Sequence, residues 1–394
     1  QIYFASSWST LSEARIGGSR TMVSRLVAVV GCVHGQLDAM YDAIVETERA
    51  LGEPIHLVLC CGDFQSIRTV EDLQCMACPE KYREMLDFWK YRQGIRVAPR
   101  LTIFVGGNHE ASNVLQSLPI GGFLAPNIFY MGYAGVVRCA GLRIAGLSGI
   151  YNVEHFSQTH WESPPYTSSS LRSVYHVRQM DVDRLATMTG PLDVFLSHDW
   201  PRGIWTYGNQ SRLLRKKPFL KPSIDQGDLG SPPLMSLLKT LKPRYWASAH
   251  MHCKFSASVP HSAGLTTRFV ALDKIIAGRD FLQVVRIPIN SNQADAEPPQ
   301  PNWTIELDQQ WASHLQATCG LDKPSEGTHQ YPPFSEDLSL PSMTKILNLD
   351  LERLLHGSNL RRRGLDPIPL MNDTTHPHPD ELPLIINSDD DSGI

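Results

Sequence analysis

The sequence lacks three features that would place it in a special class of protein. None of its apolar runs approaches the roughly 18–20 residues that a membrane-spanning helix needs, so no membrane partner is expected. Its eight cysteines follow no regular spacing, which excludes a small disulfide scaffold and favours reduced thiols or metal ligands. The formal net charge is only −4, from 36 basic and 40 acidic residues, so a nucleic-acid partner would have to be bound by a local basic patch.

What remains is a large globular chain. With 394 residues, of which 42% are hydrophobic and 19% charged, it is long enough to bury a substantial core. Residues 1–21 contain no continuous apolar segment and therefore do not resemble a secretory signal. We predict that they form a disordered leader, with a transit peptide as the alternative.

A repeated pattern runs through the first 250 residues: a short β-branched run, then a Gly- or Ser-marked turn that carries His, Asp or Asn. Two segments between these runs, Leu37–Leu51 and Lys81–Tyr91, have the apolar spacing of amphipathic helices. Strands that alternate with helices indicate a layered α/β fold, whose sites gather beyond the carboxyl ends of strands. Six runs predict strands that are buried on both faces: Leu26–Val30, Ile55–Cys60, Leu101–Val105, Leu142–Leu147, Val194–Ser197 and Arg244–Ser248.

The composition changes after Asn290. Residues 291–302 are rich in Asn, Pro, Gln and Ala, which is typical of a linker. Residues 303–358 contain two tryptophans and a helical leucine pattern, and we predict a small appended element there. Residues 359–394 combine an Arg triplet with an Asp run and too little apolar surface to fold, so they are predicted to be a disordered acidic tail.

Five turns that follow predicted strands carry metal-binding side chains. Each is weak evidence alone, because a lone His or Gly-Asp after a strand is usually structural. Together they supply the His, Asp and Asn ligands that a two-metal phosphoesterase uses to hold ions about 3.5–4 Å apart. The five turns are Gly31-Cys32-Val33-His34-Gly35, Gly62-Asp63-Phe64-Gln65, Gly106-Gly107-Asn108-His109-Glu110, Ser197-His198-Asp199-Trp200 and Ala249-His250-Met251-His252.

This order of motifs resembles the calcineurin-type metallophosphoesterase superfamily, and the connecting sequence is similar to RNA lariat debranching enzymes over about residues 24–290. Matching phrases include the first four of these turns and also Leu147–Tyr151, Trp200–Ile204 and Ala271-Leu272-Asp273-Lys274. The resemblance implies a layered metallophosphoesterase sandwich, with helices flanking central β-sheets and a small C-terminal extension. It assigns residues 22–258 to the catalytic domain and 259–358 to a debranching-enzyme C-terminal region.

Cys32 distinguishes the debranching enzymes within this superfamily, because most members place Asp at that position. A thiolate favours zinc or ferrous iron over magnesium, although a free Cys is more often a small buried apolar residue. The resemblance implies two divalent ions, Fe²⁺/Zn²⁺ or Mn²⁺, that share Asp63 as a bridging ligand. One ion would be held by Cys32, His34, Asp63 and His252, and the other by Asp63, Asn108, His198 and His250.

The same resemblance leaves His109 without a metal. A free His beside the centre can protonate the leaving oxygen as general acid; the alternative is a purely structural role. Glu110 and Asp199 are predicted to orient the metal-binding histidines, although Asp199 is equally compatible with a simple turn.

The implied reaction is hydrolysis of the 2′–5′ phosphodiester at the branch point of excised intron lariat RNA, by a two-metal-activated hydroxide. Branched intron RNA is therefore the expected partner, together with spliceosome-associated proteins, and the nucleus, with the cytoplasm as a second site, is the expected location. Two alternatives are a protein serine/threonine phosphatase and a non-catalytic scaffold of the same fold. The Gly-Asp motif of the phosphatases goes on to Asp-Arg-Gly, whereas Asp63 is followed by Phe64-Gln65-Ser66-Ile67-Arg68. Every ligand that the resemblance implies is present, which speaks against the scaffold.

Two segments have the composition of RNA-binding surfaces, which need positive charge and stacking rings. The segment 202–221 contains six basic residues and no acid, although such a run is often only a solvated loop. The segment 149–175 is a long polar and aromatic insertion, and long loops in compact domains are usually functional or disordered. The predicted RNA contacts are Arg202, Trp205, Tyr207, Arg212, Arg215, Lys216, Lys217, Trp161 and Tyr166.

Overall fold

The structure is a computed structural model that describes residues 23–289 and 304–318. The predicted leader, the linker at 291–302, the leucine pattern near 350 and the acidic tail lie outside the described residues. Within the described ranges, no helix is both long and apolar enough to cross a membrane.

The described residues form thirteen strands and nine α-helices. The strands are β1 (Ser24–Val30), β2 (Leu57–Cys60), β3 (Thr102–Phe104), β4 (Gly122–Ala125), β5 (Ile128–Tyr130), β6 (Ala134–Cys139), β7 (Leu142–Leu147), β8 (Val194–Ser197), β9 (Tyr245–Ser248), β10 (Phe255–Pro260), β11 (Thr266–Ala271), β12 (Leu282–Pro288) and β13 (Ile305–Leu307). The helices are α1 (Leu37–Leu51), α2 (Phe88–Arg92), α3 (Ser112–Gln116), α4 (Ser168–Ser173), α5 (Gln179–Ala186), α6 (Gln210–Lys216), α7 (Lys221–Gln226), α8 (Pro232–Leu241) and α9 (Gln309–Thr318).

The strands make two sheets. One has the order β12-β1-β2-β3-β5-β4, with a parallel centre from β1 to β5. The other has the order β10-β11-β9-β8-β7-β6-β13, with a parallel centre from β11 to β7. All six predicted strands are confirmed, each with its ends shifted by no more than two residues.

Three apolar clusters show how the layers pack. One lies between the sheets and contains side chains from both, such as Val29, Leu59, Ile144 and Leu196. The other two lie on the outer faces, where α1 covers the first sheet and α5 and α8 cover the second. The predicted layered α/β sandwich, with helices flanking central sheets, is therefore confirmed. The burial of both sheet faces explains why the strand sequences are apolar at consecutive positions.

The helix predicted over Lys81–Tyr91 is wrong. The chain forms a short 3₁₀ turn at Glu80–Tyr82 and then α2, because Leu86 adopts a left-handed backbone with φ of 45°. A tertiary contact explains the break: the amide of Asp87 donates to the carbonyl of Gly35 at 3.3 Å, which draws this segment onto the first predicted metal-binding turn.

The C-terminal part of the chain is built into the sandwich. The predicted boundary between residues 258 and 259 falls inside β10, and both sheets continue beyond it, because β11 and β12 pair within them. Residues 304–318 add β13 beside β6, and Trp311 of α9 is buried in the core. The buried guanidinium of Arg143 also binds the Asp308 carboxylate with two hydrogen bonds of 3.0 and 3.1 Å.

Candidate metal centre

The five predicted turns converge at one edge of the sandwich. They follow the carboxyl ends of β1, β2 and β3 in the first sheet and of β8 and β9 in the second. Since the central strands of each sheet are parallel, their carboxyl ends meet at a common edge, and the two sheets present these edges side by side. Residues that are up to 218 positions apart in sequence therefore come into contact.

The first group of ligands consists of Cys32, His34, Asp63 and His252. One ligand atom of each lies within 4.8 Å of the others, which is close enough for a single ion. The Nε2 atoms of His34 and His252 are 3.1 Å apart, and the His34 Nε2 lies 3.6 Å from Asp63 Oδ2. One thiol, two imidazoles and a carboxylate form a donor set that suits zinc or iron.

The second group is organised around His198, whose ring is fully buried. Its Nδ1–H donates to the carbonyl of Cys61 at 2.8 Å, so Nε2 carries the lone pair. That Nε2 lies 3.0 Å from Asn108 Oδ1 and 3.4 Å from Asp63 Oδ1, and the ring of His250 stands 4.9 Å from the His198 ring between centroids. Lone-pair atoms that face one another without a proton between them repel, and a cation would remove that repulsion.

Asp63 joins the two groups. Its Oδ1 faces His198 and accepts the amide of His109 at 2.9 Å, whereas Oδ2 faces His34. Oδ2 is buried and accepts no hydrogen bond from the described residues, which is costly unless a cation is bound. The carboxylate is thus placed as the predicted bridging ligand would be.

The protonation states of the histidines suit metal binding. Burial lowers the pKa of His34 and of His250 to about 4 and that of His252 to about 2. Burial also lowers the pKa of His198. All four rings are therefore neutral at physiological pH, and neutral imidazole is the form that binds metals.

Cys32 and Asp63 differ in protonation. Burial, reinforced by the Asp63 charge, raises the pKa of the Cys32 thiol well above its usual range. Burial opposes ionisation of Asp63 as well, but His198, His109 and His34 hold the pKa of its carboxyl well below its usual range. A bound ion would supply the charge that deprotonates the thiol.

The backbone of the ligand turns is strained. Four ligands adopt left-handed conformations, which non-glycine residues rarely do: His34 (φ 45°), Asp63 (φ 48°), His250 (φ 60°) and His252 (φ 45°). Two glycines make room for these side chains. A Cβ at Gly62 would lie 2.4 Å from His198 Nδ1, and one at Gly107 would lie 2.2 Å from Asp63 Oδ1.

His109 lies beside the ligands without joining either group. Its ring is 5.7 Å from that of His34 between centroids, and it is partly exposed. Its Nδ1 is buried and has no hydrogen-bond partner among the described residues, so no protein group fixes its tautomer there. The ring thus lies beside the first ligand group and is partly accessible to solvent.

Glu110 has a different role from the one predicted. Instead of orienting histidines, its carboxylate accepts three backbone amides, from Phe64 at 2.8 Å, Gln65 at 2.7 Å and Gly107 at 2.9 Å. It thereby ties the turn after β2 to the turn after β3. Asp199 accepts its neighbouring amide at Trp200 at 2.7 Å, as a turn residue does, although its charge also interacts with His250.

The predicted RNA contacts of segment 202–221 differ in their exposure to solvent. Trp205 is only 4% exposed and packs in the outer core against the second sheet, so the prediction that its ring contacts RNA is wrong. Its apolar ring faces inward because the 3₁₀ turn that contains it, Ile204–Tyr207, lies on β10. Tyr207, Arg212, Arg215 and Lys216 are exposed, whereas Arg202 and Lys217 are half-buried.

The insertion after β7 is an ordered loop. The fully buried pair Glu162 and Arg178 anchors it at 2.5 Å, and the hydroxyl of Tyr166 donates to the Gln116 side chain at 2.6 Å. Trp161 remains 40% exposed next to this anchor. Of the two predicted aromatic contacts in the loop, Trp161 presents its ring to solvent and Tyr166 is partly engaged in holding the loop.

Two further features border the metal centre. A cavity of about 270 Å³ lies beside His250 and is lined in part by Tyr151, Asn152, Arg202 and Asp228. The second feature is a basic rim beside the first ligand group, and only its first two members were predicted from the sequence as RNA contacts. We define the basic rim as Lys216, Lys217, Lys254, Lys274 and Arg279.

Comparison with known proteins agrees with this geometry. The model of the calcineurin-like phosphoesterase family matches residues 25–254, which is more than half of the chain. This chain belongs to the calcineurin-like phosphoesterase family. Members of this metallophosphoesterase family bind divalent metal ions, and the ligand groups above lie within the matched region. A second model, that of the lariat debranching enzyme C-terminal domain, matches residues 264–345.

Several relatives within the family are similar over most of the chain. A lariat debranching enzyme of Drosophila melanogaster is 47% identical over 78% of this chain and 63% of its own length. Those of Homo sapiens and Arabidopsis thaliana are 49% and 52% identical, over 75% and 66% of this chain and 54% and 63% of their own lengths. The chain spans between 52% and 63% of the length of the first eight curated relatives that it matches.

Proposed function

We propose that this protein hydrolyses the 2′–5′ phosphodiester at the branch point of lariat RNA. The observation that carries the proposal is Cys32 in the first ligand group, where it lies within 4.8 Å of the ligand atoms of His34, Asp63 and His252. The resemblance described above associates this Cys with debranching enzymes rather than with protein phosphatases. The match of residues 264–345 to the debranching-enzyme C-terminal domain and the names of the relatives support the same choice.

We propose that seven residues of the chain hold two metal ions. Two divalent ions, when bound, lower the pKa of water and neutralise charge on phosphate oxygens. Cys32, His34, Asp63 and His252 would hold one, and Asp63, Asn108, His198 and His250 the other. We propose Fe²⁺/Zn²⁺ or Mn²⁺ as the ions, because a thiolate with imidazoles favours metals softer than magnesium.

His109 is proposed to protonate the leaving 2′-oxygen of the branch nucleotide. Its ring lies beside that of His34, and its main-chain amide donates to Asp63 Oδ1 at 2.9 Å, so the residue is tied to the carboxylate proposed to bridge the ions. Glu110 keeps this turn in register with the turn that carries Asp63. The products would be a linear RNA with a 5′ phosphate and a free 2′-hydroxyl at the branch.

The surroundings of the centre suit an RNA substrate. Exposed cations lie on α6, and the exposed ring of Trp161 is suited to stacking on a base. We propose branched intron RNA as the substrate, spliceosome-associated proteins as partners, and the nucleus, with the cytoplasm as a second site, as the location.

The test is cleavage of a synthetic branched RNA, with matched linear 3′–5′ RNA and a phosphoprotein as alternative substrates. We expect release of the 2′-linked strand, no cleavage of the 3′–5′ linkages and no protein dephosphorylation. Dephosphorylation without debranching would favour the serine/threonine phosphatase alternative. Failure with every substrate and every one of the three metals would favour the scaffold alternative.

A further inference from the structure

The loop between β11 and β12 lies directly on the first metal-binding turn. The amide of Ile275 donates to the carbonyl of Cys32 at 3.1 Å, and the amide of Gly31 donates to the carbonyl of Phe281 at 3.0 Å. The packing is so close that a Cβ at Gly31 would lie 2.1 Å from the Asp273 carbonyl oxygen. This loop thus forms a wall of the centre beside the Cys32 group.

Charged side chains from three segments meet at this wall. Asp280 lies 3.6 Å from both Lys216 and Lys254, and Arg279 lies 3.2 Å from Asp273. The two carboxylates thereby pair with three of the five cations of the basic rim. Positive charge is left over at the mouth of the site.

The excess charge sits on Lys217 and Lys274. Across residues 23–289 and 304–318, no carboxylate lies within ion-pair distance of either ammonium group. Both side chains are half-buried, so water screens their charges incompletely. Lys274 directly precedes Ile275, whose amide donates to the carbonyl of the predicted ligand Cys32 at 3.1 Å, so the backbone places this cation close to the metal ligands.

An aromatic ring completes the arrangement. Phe219 is 53% exposed, and its ring centroid lies 5.7 Å from the Lys217 ammonium. An ammonium group beside an exposed ring is suited to a nucleotide, whose phosphate pairs with the cation while its base stacks on the ring. In a basic segment that is only a solvated loop, we would expect neither a half-buried lysine nor an aromatic ring beside it.

A branch nucleotide presents two phosphodiesters on one ribose, at its 2′ and 3′ oxygens. When the 2′–5′ phosphate is at the metal centre, the 3′–5′ phosphate must lie next to it. We propose that Lys217 and Lys274 form a phosphate subsite that binds this uncleaved 3′–5′ phosphodiester, with Phe219 stacking on an attached base. This inference rests on the proposed debranching activity and assigns the residues that distinguish a branch from an ordinary 2′–5′ linkage.

The test compares two substrates and several variants. One substrate is a branched trinucleotide with both linkages, and the other is the 2′–5′ dinucleotide that lacks the 3′ phosphate. For the branched substrate we expect Lys217→Ala and Lys274→Ala each to lower kcat/KM by roughly tenfold to a hundredfold, as expected for a lost charge-assisted contact. For the dinucleotide we expect no more than a roughly threefold change, because it lacks the 3′ phosphate that these lysines would bind.

Two control variants distinguish the loss of a positive charge in the subsite from a nonspecific effect of the substitution. Lys274→Arg keeps the charge and should retain most of the branched-substrate activity. Lys221→Ala removes a neighbouring lysine that is 64% exposed and paired with Asp225, and it should leave both substrates unaffected. Undiminished dinucleotide cleavage also shows that each variant has folded with an intact metal centre.

Binding without turnover provides an independent readout. With EDTA present, anisotropy of labelled branched RNA should show weaker binding to the double alanine variant, and the slope of log Kd against log salt should fall by roughly 0.7 per lysine removed. Equal losses on both substrates, or no loss on either, would overturn the subsite. If the unaltered protein cleaves neither substrate, the proposed function fails, and this binding comparison still decides whether the subsite exists.

Discussion

The metal centre and the basic rim differ in how they are built. The ligands are buried or half-buried, they follow strand ends, and several have strained left-handed backbones. The cations of the basic rim are half-buried or exposed, and they come from α6, from the chain just after His252 and from the loop between β11 and β12. The metal ligands are therefore held in turns anchored directly at strand ends, whereas the residues proposed to select the substrate lie at the end of α6 and in loops.

Asp63→Asn should have the largest effect, because this carboxylate faces both ligand groups. We expect loss of both ions and a loss of turnover greater than the roughly 10⁴-fold upper range for a missing general acid. Elemental analysis and cleavage of branched RNA would be measured together. Asp225→Asn, on the surface, is the matched control. Two tightly bound ions in Asp63→Asn would contradict the bridging role.

His109→Ala should retain metal and lose turnover by roughly 10²–10⁴-fold on branched RNA, because the leaving 2′-oxygen then departs unprotonated. A nitrophenyl phosphodiester has a leaving group that needs no acid, so its hydrolysis should fall much less. The ratio of the two losses is the decisive measurement. Equal losses on both substrates would indicate that His109 acts on the structure of the centre instead.

Cys32→Ser should weaken one of the two ions selectively, because a neutral hydroxyl replaces a thiolate and leaves positive charge uncompensated. Cys32→Asp restores a hard anion, so activity should partly return with manganese rather than zinc. Cys60→Ser is the control: it alters a buried thiol that contacts Met40 outside the ligand groups, and it should retain both ions. Unchanged metal stoichiometry and metal preference in Cys32→Ser would show that the Cys32 thiolate is not a metal ligand.

Glu110→Gln should lower the stability of the protein, because it disturbs the backbone hydrogen bonds that tie the turn after β2 to the turn after β3. One carboxylate oxygen becomes an NH₂ group that faces amide donors, and a buried donor left unpaired costs about 1–3 kcal/mol in the free energy of unfolding. Urea unfolding of the metal-free protein measures this loss. A variant that unfolds at the same urea concentration as the parent would show that these three hydrogen bonds do not hold the two turns together.

The smallest effect should come from Trp161→Ala. Loss of a stacking ring costs about 1–3 kcal/mol in RNA binding, so KM for branched RNA should rise while kcat changes little. Trp205→Ala is the informative partner, because its buried ring should reduce stability and leave KM for RNA near the parent value. If KM for RNA rose in Trp205→Ala and stayed at the parent value in Trp161→Ala, Trp205 rather than Trp161 would be the residue that contacts RNA.

Local sequence was sufficient for the strands and for the ligand turns. Strands such as Val194–Ser197 are apolar at consecutive positions because both faces are buried, and glycines such as Gly62 and Gly107 mark where a ligand side chain approaches the backbone. These signals lie within a few residues of one another. Their order along the chain then indicates the centre, since parallel strands bring their carboxyl ends to one edge.

Only the tertiary structure decided what each remaining side chain contacts. Trp205 and Trp161 are both aromatic residues in polar segments, yet one packs in the core and the other faces solvent. Glu110 follows a metal-binding motif but binds amides of another turn, and the predicted helix over Lys81–Tyr91 is broken by its contact with Gly35. Lys254, Lys274 and Arg279 become one basic rim because β11 pairs with β9 in one sheet and β12 pairs with β1 in the other. Pairing between distant segments leaves no periodic signal in the sequence.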